Sequence, residues 1–503
     1  MMNIEDKNYI RNHIKIYNSL TGKKELFQPI NKKYVGIYVC GPTVYHDIHL
    51  GNCRTFISFD LVFRYFKHLG YKVRYVRNIT DVGHLENERD DGEDKISKKS
   101  RIEGLEPMEI VQKYTISFHK ILNIFNTLPP SIEPTATGHI IEQIDIIQEL
   151  IKKKLAYEKN GSVYFDIKKY NKKFSSYGKL SHNKIDKLFN QKLKNNSSVV
   201  VEKRCFQDFS LWKRANDNHI MNWNSPWGKG FPGWHIECTT MSTKYLGEIF
   251  DIHGGGIDLK FPHHECELAQ AIGIYENKNL AHYWMHTNML TFNGKKMSKS
   301  TGNFLGLKDI IIYNKSFHPT IIRFFILQSH YRSLLNFSYQ GLINAEKGYY
   351  RLMNAIEKLK HFSTKEKTKT NHYYSSTFNI IQWIKDCYNA INDDFNIPLL
   401  ISFLFKASHI VNNSSSVINN MGCSDINLWN KYMNHFIFDI LGLQTLSLEK
   451  NSSYETSKKF KVLIERLIKF RIEERKRRNW ILSDRIRKEL SHVGISLHDD
   501  KLC

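Results

Sequence analysis

YVGIYVCGPTVYHDIHLGNCRTFISFDLVFRYFKHLGYKVRYVRNITDVGHL, residues Tyr34 to Leu85, is the stretch from which the rest of the chain is read. Tyr34 to Cys40 is β-branched and aromatic around one glycine and stops at Cys-Gly-Pro, as a buried strand does before a loop. From Cys53 to Leu69 the residues Phe56, Phe59, Phe63 and Phe66 recur at three- and four-residue steps, and Gly70 supplies a stop, which predicts a helix. Tyr71 to Thr80 reads as a second strand. Strand, loop, helix and strand within about fifty residues form one βαβ unit, with a right-handed crossover expected. Cys40, His49 and Thr80 then fall near one sheet edge. Ligands of open parallel sheets sit there, beyond the carboxyl ends of the strands, where helix N-termini point amides at anions. The connecting loop, His49-Leu50-Gly51-Asn52, has neither the Gly-x-Gly-x-x-Gly dinucleotide spacing nor the Gly-Lys-Ser/Thr end of a phosphate loop.

At 503 residues the chain is long enough for about three domains. Lys plus Arg number 73 against 50 Asp plus Glu, and the resulting +23 suggests a polyanionic partner, although a bias to Lys, Asn and Ile along the whole chain would raise it without any binding role. The N-terminal MMNIEDKNYIRNHIK carries no secretory pattern, and no apolar run approaches the roughly twenty residues of a membrane span. A soluble, cytoplasmic protein without membrane contact is expected. Eight cysteines scattered from 40 to 503 do not form a disulfide framework.

Ser19 to Lys24 reads as a turn leading to a short strand at the sheet edge. The charged segment Glu86 to Arg101 is expected to be a surface loop. Helices are predicted over Met108–Phe125 and Gly138–Leu155, a strand over Ser162–Asp166, and an irregular polar stretch over Tyr177–Lys203. The sheet resumes after Ser225-Pro226-Trp227-Gly228. A helix begins at Gly233-Trp234-His235-Ile236-Glu237-Cys238, and a strand from Glu248 runs into Gly254-Gly255-Gly256-Ile257-Asp258. Glycines at a strand end admit a ligand to the backbone, and a carboxylate two residues later can accept ribose hydroxyls, though a bare triple glycine also serves as a turn. Phe261-Pro262-His263-His264-Glu265-Cys266-Glu267 opens another helix. His263 and Glu267, four apart, share a face at metal-ligand spacing, and the pattern is not His-Glu-x-x-His. After Asn293-Gly294 comes Lys295-Lys296-Met297-Ser298-Lys299-Ser300. Beyond residue 304 the pattern is helical, over Pro319–Ser329, Tyr339–Phe362 and Tyr374–Ala390, and Arg475 to Arg478 is either an RNA contact or a solvated face.

His49-Leu50-Gly51-Asn52 resembles the His-x-Gly-His signature of class I aminoacyl-tRNA synthetases, and Lys296-Met297-Ser298-Lys299-Ser300 is their second signature, in the expected order. Tyr38 to Tyr45, Thr137-Gly138-His139-Ile140 and Asp208 to Lys213 narrow the resemblance to cysteinyl-tRNA synthetases. Asn52 departs from the commoner histidine, but an amide still donates to phosphate. The C-terminal Lys501-Leu502-Cys503 lacks the family's usual tail. The resemblance implies an α/β fold: a Rossmann-like parallel-sheet catalytic domain split by an insertion and followed by an α-helical bundle. The implied segments are 1–130 and 225–310 for the two catalytic halves, 131–224 for the insertion, 311–365 for a helical stem-contact region, 366–470 for the anticodon-binding domain, and 471–503 for a small terminal segment.

The resemblance further implies ATP-dependent activation of L-cysteine and its transfer to tRNA(Cys). His49, Asn52, Lys296 and Lys299 would act on the phosphates, and Gly51, Gly255, Gly256 and Asp258 would bind ATP, with Mg2+ accompanying the nucleotide. Gly41, Thr80 and Trp234 would hold the substrate cysteine. Cys40, Cys238, His263 and Glu267 would hold one zinc ion, a set that no local Cys-x-x-Cys spacing discloses, and the chain would be a monomer. Two other readings stay open: a cysteine-activating ligase with an amino-sugar acceptor, as in mycothiol synthesis, and a non-catalytic RNA-binding protein with a structural zinc. The long helical C-terminal region weighs against the first, and the two ATP signatures weigh against the second.

Overall fold

The computed structural model describes residues 10–87, 91–183, 202–216, 219–276, 279–292, 294–296, 317–364, 378–413, 418, 421–446, 467, 470–471, 473–475, 477 and 479–492. Met1–Leu443 form one compact unit and Gln444–Cys503 a second. In the second, helix Trp480–His492 is described, and Glu474 accepts from Asn479 Nδ2 at 2.8 Å.

The first unit starts with the hairpin β1 (Lys15–Asn18) and β2 (Lys23–Leu26). It borders the main sheet as expected, since Ser19 N donates to Trp284 O at 2.8 Å. The βαβ unit follows as β3 (Tyr34–Val39), α1 (Leu50–His68) and β4 (Lys72–Arg77). β3 and β4 pair in parallel from Tyr34↔Lys72 to Val39↔Arg77. Helix α1 starts three residues before Cys53, where the pattern places its start, because His49 caps it.

The charged segment after Thr80 is not the surface loop that its composition suggests. It forms the hairpin β5 (Leu85–Asn87) and β6 (Asp91–Asp94), then α2 (Lys95–Glu103). The Asp94 carboxylate caps this helix by accepting from Ile96 N at 3.0 Å and Ser97 N at 2.9 Å, Ile96 is buried, and Gly104 closes it at φ 68°. A cap and two buried positions are enough to order a helix whose remaining residues are charged.

Helices α3 (Pro107–Ile124) and α4 (Ile140–Lys152) lead into an antiparallel sheet of β7 (Ala156–Lys159), β8 (Ser162–Phe165), β9 (Phe209–Arg214) and β10 (Gly230–Pro232), with α5 (Ile167–Phe174) between β8 and β9. Its strand order is β10-β9-β8-β7. Gly230–Pro232 therefore still belongs to the inserted sheet. The parallel sheet resumes only after α6 (Trp234–Leu246), with β11 (Phe250–Gly256), α7 (His263–Tyr275) and β12 (Ala281–Thr287). Its order, β12-β11-β3-β4, is parallel throughout. β11, from late in the chain, lies beside β3, from its start; the insertion between them is what splits the sheet in sequence.

A second small sheet joins β13 (Leu290–Phe292), β14 (Lys295–Lys296) and β15 (Leu335–Phe337), the last following α8 (Pro319–Leu327). Four further helices, α9 (Tyr339–Thr364), α10 (Ile380–Asn392), α11 (Ile397–Asn413) and α12 (Cys423–Asn434), pack together, with α9 against both α11 and α12. Helix α1 is buried on nearly every face, by the parallel sheet on one side and by α8 and the helical segment His435–Ile440 on the other. It therefore carries buried polar side chains, Arg54, Asp60 and Arg64, as well as its phenylalanines. Asp60 accepts from Arg64 Nε at 2.8 Å and Arg323 Nη2 at 2.5 Å, and Tyr65 donates to Asn392 Oδ1 at 2.6 Å, tying α1 to the helical half.

Candidate active site

The N-terminus of α1 opens at the carboxyl end of β3. His49 and Asn52 form a capping box: His49 Nδ1 accepts from Asn52 N at 3.1 Å, and His49 N donates to Asn52 Oδ1 at 3.2 Å. That geometry puts the imidazole proton on Nε2, as a donor, and leaves the Asn52 Nδ2 hydrogens as donors too. The first turn contains no acidic residue, so the helix macrodipole and the terminal amides favour an anion. Asn52 thus does structurally what an N3 Gln or Glu does in other capping boxes.

Four side chains from three elements converge behind this opening. Cys40 directly follows β3, Cys238 lies in the second turn of α6, and His263 and Glu267 stand one turn apart on α7. Their ligand atoms all lie within 4.8 Å of one another, and all four side chains are buried. Cys40 Sγ is 3.7 Å from Cys238 Sγ and 3.7 Å from Glu267 Oε1, and His263 Nε2 is 3.2 Å from the same carboxylate oxygen. His263 Nδ1 lies 2.9 Å from His235 Nδ1. With the proton on His263 Nδ1, its Nε2 lone pair faces the group, a second-layer arrangement usual around metals. Burial, then hydrogen bonding and repulsion from Cys238, push the Cys40 thiol well up, and burial lowers His263 well below the usual imidazole range. A neutral imidazole is the ligating form. Two thiols and a carboxylate buried this close together call for a cation if they are to ionise. The chain therefore contains a buried Cys/His/Glu group able to hold a metal ion.

A second set overlaps the first and was not anticipated. Cys40, His253, His264 and Glu267 also bring their ligand atoms within 4.8 Å. His264 Nε2 is 3.3 Å from Cys40 Sγ, and His253 Nε2 is 2.8 Å from Glu267 Oε2. His264 Nδ1 in turn meets His286 Nε2 at 2.9 Å, and His286 Nδ1 meets Ser19 Oγ at 2.8 Å. The sequence signal was the His263-His264 doublet, in which His264 stands three residues from Glu267; His253 is recognisable only once β11 is laid beside β3.

The remaining anticipated residues surround this group. Thr80, buried, accepts at Oγ1 from Asn78 Nδ2 at 3.1 Å, and its N donates to Pro42 O at 3.1 Å. Gly41 N donates to Asn78 Oδ1 at 2.8 Å. The Trp234 ring lies 4.2 Å from the His263 ring and stacks on His84 at 4.1 Å. Gly255 and Gly256 end β11, and Asp258, exposed, follows in a short 3-10 turn. A side chain at Gly255 would meet the His264 ring at 2.7 Å and Leu259 at 3.0 Å. Gly51 sits in the first turn of α1. The backbone of Lys296 lies in β14, and Lys299 falls outside the described residues.

The chain is similar to known proteins over most of its length. The family described as tRNA synthetases class I (C) catalytic domain matches residues 26–347. Cysteine–tRNA ligases of Azobacteroides pseudotrichonymphae and Bacteroides fragilis are each 48% identical over 497 residues, 98% of this chain and 98% of theirs. That of Chlorobium chlorochromatii is 42% identical over 97% of both. Among solved structures, a methionyl-tRNA synthetase of Mycobacterium tuberculosis in complex with methionyl-adenylate superposes with a TM-score of 0.59 at 11% identity, over 81% of this chain and 89% of that one. A leucyl-tRNA synthetase complex of Agrobacterium radiobacter gives 0.58 at 10%, over 84% and 86%. These distant likenesses establish the fold, a Rossmann-like α/β domain with appended helices. With the two signatures, the split parallel sheet and relatives 48% identical over almost the whole length, the chain belongs to the cysteine–tRNA ligase family of class I aminoacyl-tRNA synthetases.

Proposed function

We propose that the chain is a cysteine–tRNA ligase that activates L-cysteine with Mg-ATP to cysteinyl-adenylate and transfers the cysteinyl group to tRNA(Cys). The observation that carries this reading is the buried two-thiol, imidazole and carboxylate group lying beside the open N-terminus of α1. Cys40, Cys238, His263 and Glu267 would hold one zinc ion. The soft Cys/Cys/His/Glu set suits zinc better than the alternative set with a single thiol. A zinc ion held by these residues would supply a soft Lewis acid for the substrate thiol, which would lower the thiol pKa and favour sulfur over the oxygen of serine, a distinction that ordinary pocket contacts make poorly.

In the first step a carboxylate oxygen of cysteine attacks the α-phosphorus of ATP, and the bond to pyrophosphate breaks. His49 Nε2, the Asn52 amide and the amides at the start of α1 donate to phosphate oxygens. Lys296 and Lys299 supply positive charge as pyrophosphate leaves. Gly51, Gly255 and Gly256 let the nucleotide approach the backbone, and Asp258 accepts from the ribose hydroxyls. Gly41, Thr80 and Trp234 line the amino-acid pocket. In the second step a terminal ribose hydroxyl of the tRNA attacks the adenylate's carbonyl carbon and AMP departs. Positioning and charge suffice, with no side-chain nucleophile.

The +23 charge supports a polyanionic partner. The division into catalytic halves (1–130, 225–310), insertion (131–224), stem-contact helices (311–365), anticodon-binding helices (366–470) and terminal segment (471–503) belongs to the same proposal. So do a monomeric state and a cytoplasmic site, the latter supported by seven free cysteines among the described residues. Among those residues no helix is long and apolar enough to cross a membrane.

The test is amino-acid-dependent exchange of labelled pyrophosphate into ATP, with cysteine and serine offered separately, followed by transfer to a tRNA bearing a GCA anticodon or to an amino sugar. Exchange with cysteine alone and transfer to the tRNA are expected. Folded, zinc-loaded protein that exchanges with neither amino acid would end the reading, and transfer to the amino sugar would replace the acceptor.

A further inference from the structure

Arg54 lies in the second turn of α1, five residues after His49, and is buried. Among the described residues no carboxylate pairs with it. Its guanidinium instead donates four hydrogen bonds to backbone carbonyls: Nη1 to Asn288 O at 3.1 Å and Met289 O at 2.6 Å, and Nη2 to His330 O at 3.1 Å and Ser333 O at 2.5 Å. A buried guanidinium without a counter-ion is expensive, and it persists here because the planar fork matches four acceptors at once. The burial alone lowers its pKa to about 10.

The four carbonyls belong to two strand connections. Asn288 and Met289 join β12 to β13, so they link the parallel sheet to the hairpin that delivers Lys295-Lys296. His330 and Ser333 join α8 to β15, the parallel partner of β13. The two connections also bond each other: Asn288 N donates to Tyr331 O at 2.8 Å, Asn288 Nδ2 to Arg332 O at 2.9 Å, and Leu335 N to Met289 O at 3.2 Å. The hairpin is pinned in turn, since Asn336 Oδ1 accepts from Gly294 N at 3.1 Å. One side chain of α1 therefore clamps both roots of the β13–β14–β15 sheet to the helix whose first turn bears His49 and Asn52.

We infer that Arg54 is a positioning residue that fixes the β13–β14–β15 sheet, and with it Lys296, at a set distance from the N-terminus of α1. The consequence for catalysis rests on the reading above, in which both ends act on the same phosphates. Arg54 touches neither nucleotide nor cysteine, so its replacement weakens the chemical step and leaves the amino-acid pocket intact. Lysine keeps the charge but offers a point donor in place of a fork, so it cannot serve both connections.

The experiment uses the full-length, metal-loaded protein with Arg54→Lys and Arg54→Ala, and has two independent arms. In the first, kcat and KM for cysteine and ATP are measured by pyrophosphate exchange. Arg54→Lys is expected to lose at least about tenfold in kcat and Arg54→Ala about 10²-fold, the scale of an ångström-sized misplacement, with KM for cysteine within about threefold of wild type. Added guanidinium is expected to restore part of the Arg54→Ala rate. In the second, amide hydrogen exchange is followed at Asn288 and Leu335. Both are expected to exchange at least about tenfold faster in the variants, while the amides of β3 and β4 keep their protection. Unchanged kcat in both variants, a rise in KM for cysteine at constant kcat, or protection lost equally across both sheets would overturn the inference. Wild-type protein without cysteine-dependent exchange would instead overturn the ligase reading, and the amide arm would still decide the role of Arg54.

Discussion

Replacing Gly41 with alanine should separate activity from folding more cleanly than replacing any metal-binding candidate. A Cβ built on Gly41 lies 1.5 Å from the carbonyl oxygen of Asn78 and 2.6 Å from its carbon. Contacts at a real Cβ are essentially never closer than 3.0 Å, so the backbones after β3 and β4 have to part by about 1.5 Å. Nothing flexible stands in the way to absorb the clash, unlike at Gly51 or Gly256, where the nearest atoms belong to the His49 and Asp258 side chains. The displaced pieces are Cys40, one residue back, and the Asn78 to Thr80 segment, so the amino-acid pocket proposed above would open along its length. Overpacking of this kind costs about 1–3 kcal/mol, which a large core tolerates. A misplacement of about 1 Å costs about 10²-fold in rate, and 1.5 Å should cost at least that. The assay is cysteine-dependent pyrophosphate exchange beside a thermal unfolding scan. A drop in kcat/KM for cysteine of about 10²-fold or more is expected, with ATP binding and the unfolding transition largely kept. An alanine variant with wild-type kcat/KM would refute the reasoning, because the pocket would then not depend on where these two strand ends meet.

Three other outcomes follow from the structure. Asp60→Ala strands the buried Arg323 and Arg64 guanidiniums and leaves Leu128 N, which donates to Asp60 Oδ1 at 2.7 Å, without its acceptor. It should cost about 3–5 kcal/mol in urea unfolding, and a loss below about 1 kcal/mol would contradict the assigned pairing. Cys238→Ala should lower bound zinc measured by metal analysis and weaken cysteine binding in calorimetry while ATP still binds; normal zinc content would point to the His253 and His264 set instead. Lys113, Lys99 and Tyr114 hold the Glu103 carboxylate down to about 2. The stability that this gives is complete above the ordinary value of about 4.5 and fades as pH falls through about 2. Glu103→Gln should thus melt below wild type at pH 7, with the gap closing as pH falls below about 4.5; a gap that widens in acid would reverse the sign.

Local pattern carried much of this molecule. The phenylalanine spacing of α1, the start of α7 at His263 and the β-rich run before Cys-Gly-Pro are all properties of a few neighbouring residues, and each was legible with boundaries displaced by only a few positions. Where capping outweighed composition the reading failed: Asp94 and the buried Ile96 order a helix in a segment whose charge suggested a loop. Resemblance, and no local spacing, named the set Cys40, Cys238, His263 and Glu267.

What the amino-acid sequence determined by itself was the βαβ unit at the start, the two signatures in their order, and helix after helix beyond residue 317. Tertiary structure alone decided three things. It laid β11 beside β3 across the inserted sheet and so brought His253 and His264 to Cys40 and Glu267. It buried α1 on both sides, which turned Arg54, Asp60 and Arg64 from the polar face of an amphipathic helix into interior hydrogen-bonding groups. It set Gly41 against Asn78 so closely that no side chain fits between them. The reason is common to all three. Periodicity reports which face of an element is apolar, whereas the partner of a buried donor, thiol or glycine is fixed by which distant strand or helix packs against it.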